Sequence, residues 1–120
     1  MSTLDAVTAW IDAYRSAWQS NDPEQVGALF TTDAAYFPEP FGTPWRGRDE
    51  IVAKWLERKD KPDTWDFEWH PLIITDDVAI VEGETIYPEE RFSNLWVLRL
   101  DQSGQARQFT EWWMEQSKKS

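Results

Sequence analysis

Hydrophobic residues occur at helical spacing in the first half of the chain. Apolar side chains three or four positions apart predict helices over about residues 2–20, 22–30 and 48–59, with a short strand at residues 34–37. The helix boundaries agree with local chemistry, because Asp22 is a good N-cap, a proline follows it, and acidic residues open the third helix. We therefore expect three amphipathic helices, each with one buried side.

The second half of the chain alternates between apolar and polar residues instead. This pattern predicts strands over residues 65–74, 78–87, 92–100 and 106–114. Helices followed by strands are typical of an α+β domain. Because the chain has 120 residues, no repeat and no interior linker, we expect residues 1–120 to form a single domain.

The composition limits the classes of function. The chain has 22 acidic and 12 basic residues and a net charge of −10, which repels phosphate backbones and anionic lipids. We therefore expect no nucleic-acid partner and no membrane partner. With no cysteine, one histidine and no nucleotide-binding motif, we expect neither a metal site nor any cofactor. No secretory signal or long apolar run is visible, so we expect a cytoplasmic protein.

Nine tryptophans are the unusual feature of the composition. Large rings can fill the core and a subunit interface, or they can line a pocket for a small hydrophobic or aromatic ligand. Both interpretations can hold in one protein. Trp10 and Trp18 lie on the apolar side of the first predicted helix and Trp55 on that of the third, and we include all three among the expected pocket residues.

Two segments carry a resemblance to a known family. Residues 26–34 (VGALFTTDA) and the loop at residues 39–42 (EPFG), followed by Gly47 and Ile51, resemble the nuclear transport factor 2-like superfamily, especially its ketosteroid isomerase and SnoaL-like polyketide cyclase branch. The resemblance implies a cone-shaped α+β barrel, in which three N-terminal helices pack into a curved, mostly antiparallel sheet. It also implies a hydrophobic pocket at one end and a homodimer that forms through the sheet.

The resemblance implies an acid–base site as well. Tyr14 occupies the place of an oxyanion-donating tyrosine, and Glu39 occupies that of the general base. A core residue and a solvated loop carboxylate are the alternative interpretations of these two side chains. Trp96 replaces a protonated aspartate, and because an indole N–H cannot reproduce a short carboxylic-acid hydrogen bond, this difference argues against steroid isomerisation itself.

The resemblance further turns the last strand toward the cavity. It implies that Phe109, Glu111 and Trp113 face inward, with Glu82 as a neighbour in the pocket. Burial between aromatic rings is expected to raise the pKa of Glu111, so that it can exchange a proton near neutrality. We expect Glu111, hydrogen-bonded to Tyr14, to be the functional carboxylate in preference to the loop glutamate, although a purely structural network is the alternative.

Two functions follow from these expectations. One is a cofactor-independent isomerase, cyclase or hydratase-like lyase that acts on a hydrophobic carbonyl compound. The other is a non-catalytic ligand-binding or dimeric interaction domain. An inward carboxylate favours the first, and a pocket filled by its own tryptophans favours the second. A homodimer is expected because rings such as those of residues 65–69 or Trp112 should not remain exposed on the outer face of the sheet.

Overall fold

A computed structural model describes residues 3–58 and 64–116. Its elements, in chain order, are α1 (Leu4–Ser20), α2 (Pro23–Ala28), β1 (Phe30–Phe37), β2 (Trp45–Arg46), α3 (Arg48–Glu57), β3 (Asp66–Ile74), β4 (Ala79–Ile86), β5 (Arg91–Leu100) and β6 (Ala106–Glu115). Within these two ranges, no helix combines the length and the apolar character needed to cross a membrane.

The six strands form one curved sheet with the order β2-β1-β6-β5-β4-β3. All neighbouring strands are antiparallel except β1 and β6, which run parallel. The predicted α+β architecture, with helices before a mostly antiparallel sheet, is confirmed. Two details differ from the prediction: β1 begins at Phe30 instead of residue 34, and the two-residue strand β2 was not predicted. The predicted end of the third helix at residue 59 lies outside the described residues.

Side chains cap the first two helices, as the sequence indicated. The Thr3 hydroxyl accepts a hydrogen bond from the amide three residues later at 3.1 Å, and the Asp22 carboxylate accepts one from the Glu24 amide at 2.9 Å. The side-chain oxygen of Gln25 in α2 accepts a hydrogen bond from the Ser20 hydroxyl at the end of α1. The contact joins the two helices at their corner.

The core between the helices and the sheet is rich in aromatic rings. Trp96 lies at its centre and is 1% exposed. Its indole stacks on Phe67 with a centroid distance of 4.7 Å and contacts the rings of Tyr14 at 4.8 Å and Phe109 at 5.2 Å. Ring pairs at these distances and tilts contribute about 0.5–1.5 kcal/mol each beyond the area they bury. The rings therefore fix the helices against the concave face of the sheet.

The outer face of the sheet carries fewer rings than the sequence suggested. In β3 the buried side chain of Phe67 alternates with exposed Glu68 and His70, so the rings at residues 65–69 point inward. The expectation that they cover the outer face is therefore wrong. Trp112 does lie on that face. Its cross-strand partner Leu95 occupies an outward position of β5, between the buried Asn94 and Trp96, and Trp112 remains 37% exposed.

Gly83 is required by the close approach of β3 and β4. A Cβ atom at this position would lie 2.7 Å from the ring of Phe67 and 2.9 Å from the carbonyl oxygen of Glu68. We expect Gly83→Ala to lower the free energy of unfolding by about 1–3 kcal/mol, since neither a buried ring nor a backbone carbonyl can move freely. Urea unfolding followed by tryptophan fluorescence measures the change.

Gly27→Ala is the matched control for that substitution. Its Cβ would meet its neighbours at ordinary contact distances of 3.5–3.6 Å within α2, so stability should stay the same or rise by up to about 1 kcal/mol. Equal effects of the two substitutions would contradict the steric explanation.

We propose that two copies of the chain pack through the outer face of the sheet. Sedimentation velocity at micromolar concentration should then show a dimer, and Trp112→Glu should shift it toward monomer by at least tenfold in Kd, because a charge would be buried in the interface. Leu4→Glu is the control, since Leu4 is an exposed apolar residue on the helical side. A monomeric wild-type protein would refute the proposal.

Candidate functional site

A cavity of about 350 Å³ opens at one end of the core, between the helices and the concave face of the sheet. Most of its lining residues are aromatic, and a few are polar or charged. The lining residues are Tyr14, Trp18, Tyr36, Pro38, Trp45, Trp55, Arg58, Thr85, Tyr87, Phe92, Asn94, Glu111 and Trp113. Concave, mainly apolar sites with a few convergent polar groups are typical of small-molecule pockets.

Glu111 lies in the cavity wall on β6 and is held by two donors from β5. Its Oε2 atom accepts hydrogen bonds from Asn94 Nδ2 at 3.2 Å and from Trp96 Nε1 at 3.1 Å. Trp96 is the direct cross-strand partner of Glu111, so the register of the sheet produces this contact. The Thr85 hydroxyl donates to Asn94 Oδ1 at 2.7 Å, which fixes the orientation of the amide. Glu111 is therefore a half-buried carboxylate with a defined position.

Two tyrosine hydroxyls meet in the same cavity. Tyr14 on α1 and Tyr36 on β1 are both buried, and their hydroxyl oxygens lie 3.4 Å apart. Burial raises the pKa of Tyr36 well above its ordinary range, and the negative charge of Glu111 raises it further. The hydrogen bond between Tyr36 and Tyr14 and the positive charge of Arg58 lower the pKa of Tyr36, but each of these effects is weaker. Tyr36 therefore stays protonated and can donate a hydrogen bond.

A layer of three side chains leads from this pair toward solvent. Tyr36 and Trp45 are cross-strand partners in β1 and β2, and their rings stack with a centroid distance of 4.7 Å and an interplanar angle of 26°. The guanidinium carbon of Arg58 lies 5.5 Å from the centre of the Trp45 ring. Because Arg58 is exposed and also lines the cavity, we call this end the mouth.

The structure brings together five of the residues predicted for the site. The shared feature is that each lines the cavity: Tyr14, Trp18, Trp55, Glu111 and Trp113. The Tyr14 hydroxyl contacts the hydroxyl of Tyr36. The Glu111 carboxylate accepts hydrogen bonds from Asn94 and Trp96. Trp55 also donates to Asn21 Oδ1 at 3.1 Å, which ties the wall of the cavity to the end of α1.

Three predicted pocket residues lie in the core instead of the cavity wall. Trp10, Trp96 and Phe109 are buried by other side chains and do not line the cavity. The indole of Trp10 donates to the Leu29 carbonyl at 2.9 Å, so its polar atom is used structurally. These rings support the cavity from beneath. Helical and strand periodicity identifies the inward side of an element but not the depth at which a cavity begins.

Two predicted carboxylates lie away from the cavity. Glu82 is on the outer face of the sheet, where it pairs with His70 at 3.1 Å, so the expectation that it borders the pocket is wrong. The physical reason is strand alternation, since Val81 and Gly83 take the inward positions of β4. Glu39 is exposed on the loop after β1, and it does not line the cavity.

Tyr36, Arg58 and Thr85 are among the cavity residues that sequence reasoning missed. Tyr36 alternates with Ala34, and both are buried, so the inward parity of β1 was already present in the strand predicted at residues 34–37. Asn94 has the parity of Trp96 on β5, and a polar residue at such an inward position indicates a hydrogen-bond network, because a buried amide requires partners.

Comparisons with known proteins agree with this architecture. The profile of the SnoaL-like domain family matches residues 7–115. The curated proteins contain no significant match. The similarity therefore rests on the family profile and on solved structures.

Three of the similar structures illustrate the range of relatives. An NTF-2 like protein of unknown function from Burkholderia xenovorans LB400 has a TM-score of 0.75 and 14% identity, covering 97% of this chain and 88% of its own. A protein from Sphaerobacter thermophilus has a TM-score of 0.71 and 21% identity, with 95% and 97% covered. A steroid delta-isomerase from Pseudomonas aeruginosa has a TM-score of 0.64 and 16% identity, with 93% and 81% covered.

These identities are low enough that the structural matches establish the fold and nothing finer. The fold agrees with the order of elements and with the cavity at one end of the cone. The family profile, which matches residues 7–115, identifies the family, and the structural matches identify the fold. The chain belongs to the SnoaL-like domain family and has the nuclear transport factor 2-like fold.

Proposed function

We propose that the cavity binds a small, ring-containing carbonyl compound and that Glu111 exchanges a proton with it. The observation that carries the proposal is a carboxylate held by two donors in the wall of an aromatic cavity, near a pair of tyrosine hydroxyls. Aromatic walls stabilise apolar rings, while the few polar groups determine how a ligand is oriented.

The reaction that this arrangement supports is proton abstraction next to a carbonyl. The carboxylate of Glu111 takes a proton from the carbon beside the carbonyl group, and the electrons of the broken C–H bond form an enolate. The enolate oxygen accepts a hydrogen bond from a tyrosine O–H, which lowers the energy of the developing charge. Return of the proton to another carbon gives isomerisation. If the enolate carbon instead attacks a second carbonyl carbon, the new C–C bond closes a ring, and the alkoxide that forms takes the proton back from Glu111. Neither route needs a cofactor.

The hydrogen bonds to Glu111 suit a base that must stay in place. Both donors use Oε2, and their positions are set by the register of β5 and β6. A fixed carboxylate loses little conformational freedom when it reacts, and orientation of this kind contributes substantially to rate. The same bonds stabilise the ionised carboxylate, which is the form that accepts a proton.

The second candidate function is ligand binding without turnover. It is favoured by the same network, because Thr85, Asn94, Trp96 and Glu111 would also be explained as a satisfied polar cluster at the edge of an aromatic core. The two functions differ in one observable, which is transfer of a proton from ligand carbon. Binding without such transfer would favour the second.

We expect Glu111→Gln to abolish proton exchange while binding remains. The probe is 2-tetralone in D2O, with loss of its α-proton signals followed by NMR. Exchange should fall about 100-fold or more, to the uncatalysed rate, since general base catalysis contributes factors of this size. Glutamine can still accept both hydrogen bonds through its side-chain oxygen, so the protein should fold and bind the ketone within about tenfold of wild type.

Glu39→Gln is the matched control, because it removes an exposed carboxylate of the same size from the loop. Its exchange rate should stay within about threefold of wild type. Equal exchange by wild-type protein and Glu111→Gln would reject Glu111 as the base. Binding of the ketone without any exchange in wild type would support the non-catalytic alternative.

The raised pKa of Tyr36 predicts a stability change at high pH. Below pH 10 the phenol is protonated in both the folded and the unfolded states, and its contribution is constant. Above pH 10 the unfolded chain loses this proton while the folded protein keeps it, so stability falls as the pH rises. The slope from one such group is about 1.4 kcal/mol per pH unit.

Urea unfolding between pH 8 and pH 11 measures this dependence. Tyr36→Phe should show a shallower loss of stability above pH 10, by the slope of one proton. The tyrosinate absorbance of the folded protein at 295 nm should be the same with and without Tyr36. If Tyr36→Phe lacks the absorbance change of one tyrosine near pH 10 that wild type shows, then Tyr36 ionises in the folded protein and is not buried as described.

A further inference from the structure

We propose that the ligand of this cavity is a cyclic or aromatic acid whose carboxylate binds Arg58 at the mouth. The inference rests on the proposed function, because it assigns a chemical class to the compound that the cavity takes. It starts from the two opposite charges in the lining. Among the described residues that line the cavity, Glu111 is the one carboxylate and Arg58 the one cation.

The guanidinium of Arg58 is positioned by aromatic rings, and among the described residues it has no carboxylate as a counter-ion. It lies over the face of Trp45, which in turn stacks on Tyr36, so two rings support it from one side. No carboxylate of the described residues forms an ion pair with it. A guanidinium that rests on a ring keeps its N–H edge available, and this edge matches the two oxygens of a carboxylate.

Arg58 differs from several other arginines of the described residues, which have protein partners. The net charge of the chain is −10. Arg91 lies 3.8 Å from Glu84, Arg15 lies 4.0 Å from Asp66, and Arg48 donates to a backbone carbonyl at 2.7 Å. A positive group at the mouth therefore gives an otherwise acidic protein a local attraction for anions.

The two charges lie at different depths, since Arg58 is exposed at the mouth, whereas Glu111 is half-buried and accepts hydrogen bonds from the buried side chains of Asn94 and Trp96. Tyr36 is influenced by both, since Glu111 raises its pKa and Arg58 lowers it. A ligand with a carboxylate at one end and a carbonyl at the other would therefore bind in one direction. The carboxylate would be at the mouth beside Arg58, and the carbonyl would be deeper, beside the hydroxyls and Glu111. The reverse orientation would place two carboxylates together, which is unfavourable in a partly buried site.

The volume limits the size of this acid. A cavity of about 350 Å³ filled at the packing density of protein interiors, about 0.75, holds about 260 Å³ of ligand. One or two rings with a short acidic side chain fit within that volume. The class that results is a keto acid with one or two rings, large enough to contact the tryptophan walls and small enough to fit this volume.

Paired probes of equal shape test the inference by binding alone. Naphthalene-2-acetic acid and naphthalene-2-acetamide differ in charge and carry no ketone, so isothermal titration calorimetry with them is independent of catalysis. Wild-type protein should bind the acid about tenfold more tightly than the amide at low ionic strength, and added salt should reduce the difference.

Substitutions then assign the preference to one side chain. Arg58→Gln should remove or reverse it, because the remaining charge in the cavity is that of Glu111. Arg58→Lys should keep part of it, since an ammonium retains the charge without the planar edge. Arg46→Gln is the matched control, because Arg46 is an exposed arginine on β2 outside the lining, and it should retain the full preference.

The outcomes separate this inference from the proposed function. Equal affinity for the two probes in wild type, or a preference that survives Arg58→Gln, would overturn the inference while leaving an aromatic ligand pocket in place. Binding of neither probe would overturn both, since the pocket itself would then fail. Trp113→Ala should weaken both probes equally, because this ring lines the cavity and carries no charge.

Discussion

The indole of Trp96 is the group on which both the core and the cavity depend. Its ring stacks on Phe67 and also contacts the rings of Tyr14 and Phe109, so it joins the sheet to α1. The same indole also has a polar role, since its N–H donates a hydrogen bond to the Glu111 carboxylate. One side chain therefore fills the apolar interior and satisfies a carboxylate at the border of that interior. Moving the ring would disturb packing and site geometry together.

The sheet register distributes chemistry between two faces. Inward positions of β4, β5 and β6 supply Thr85, Asn94 and Glu111, which form a connected polar line across three strands. Outward positions of the same strands carry Glu82 and Trp112. Because alternation is strict in a strand, a one-residue shift of register would exchange the two sets and remove the site completely.

Periodicity was sufficient to predict most of the fold but not the detail of the site. The helices and the four long strands follow from spacing of apolar residues, whereas β2 is too short at two residues to show alternation. Strand alternation alone would have put Glu82 on the outer face, because its neighbour Val81 faces inward, although the resemblance implied that Glu82 borders the pocket. The Tyr14–Tyr36 pair could not be predicted, because it joins a helix to a strand and depends on three-dimensional packing. The sequence also could not show that Trp10 lies in the core beneath the cavity and not in its wall.

The parallel pairing of β1 with β6 has a consequence for how the chain acquires its structure. β6 is central in the sheet, between β1 and β5, yet it comes last among the described elements. Residues such as Ala35 and Gln108 must meet across a long loop of chain before the sheet is complete. Folding that depends on such distant contacts is slow, and until β6 is synthesised the edges of β1 and β5 lack their partner. A nascent chain would therefore expose two unpaired strand edges until β6 leaves the ribosome, and chaperone binding to these edges would protect the chain from aggregation.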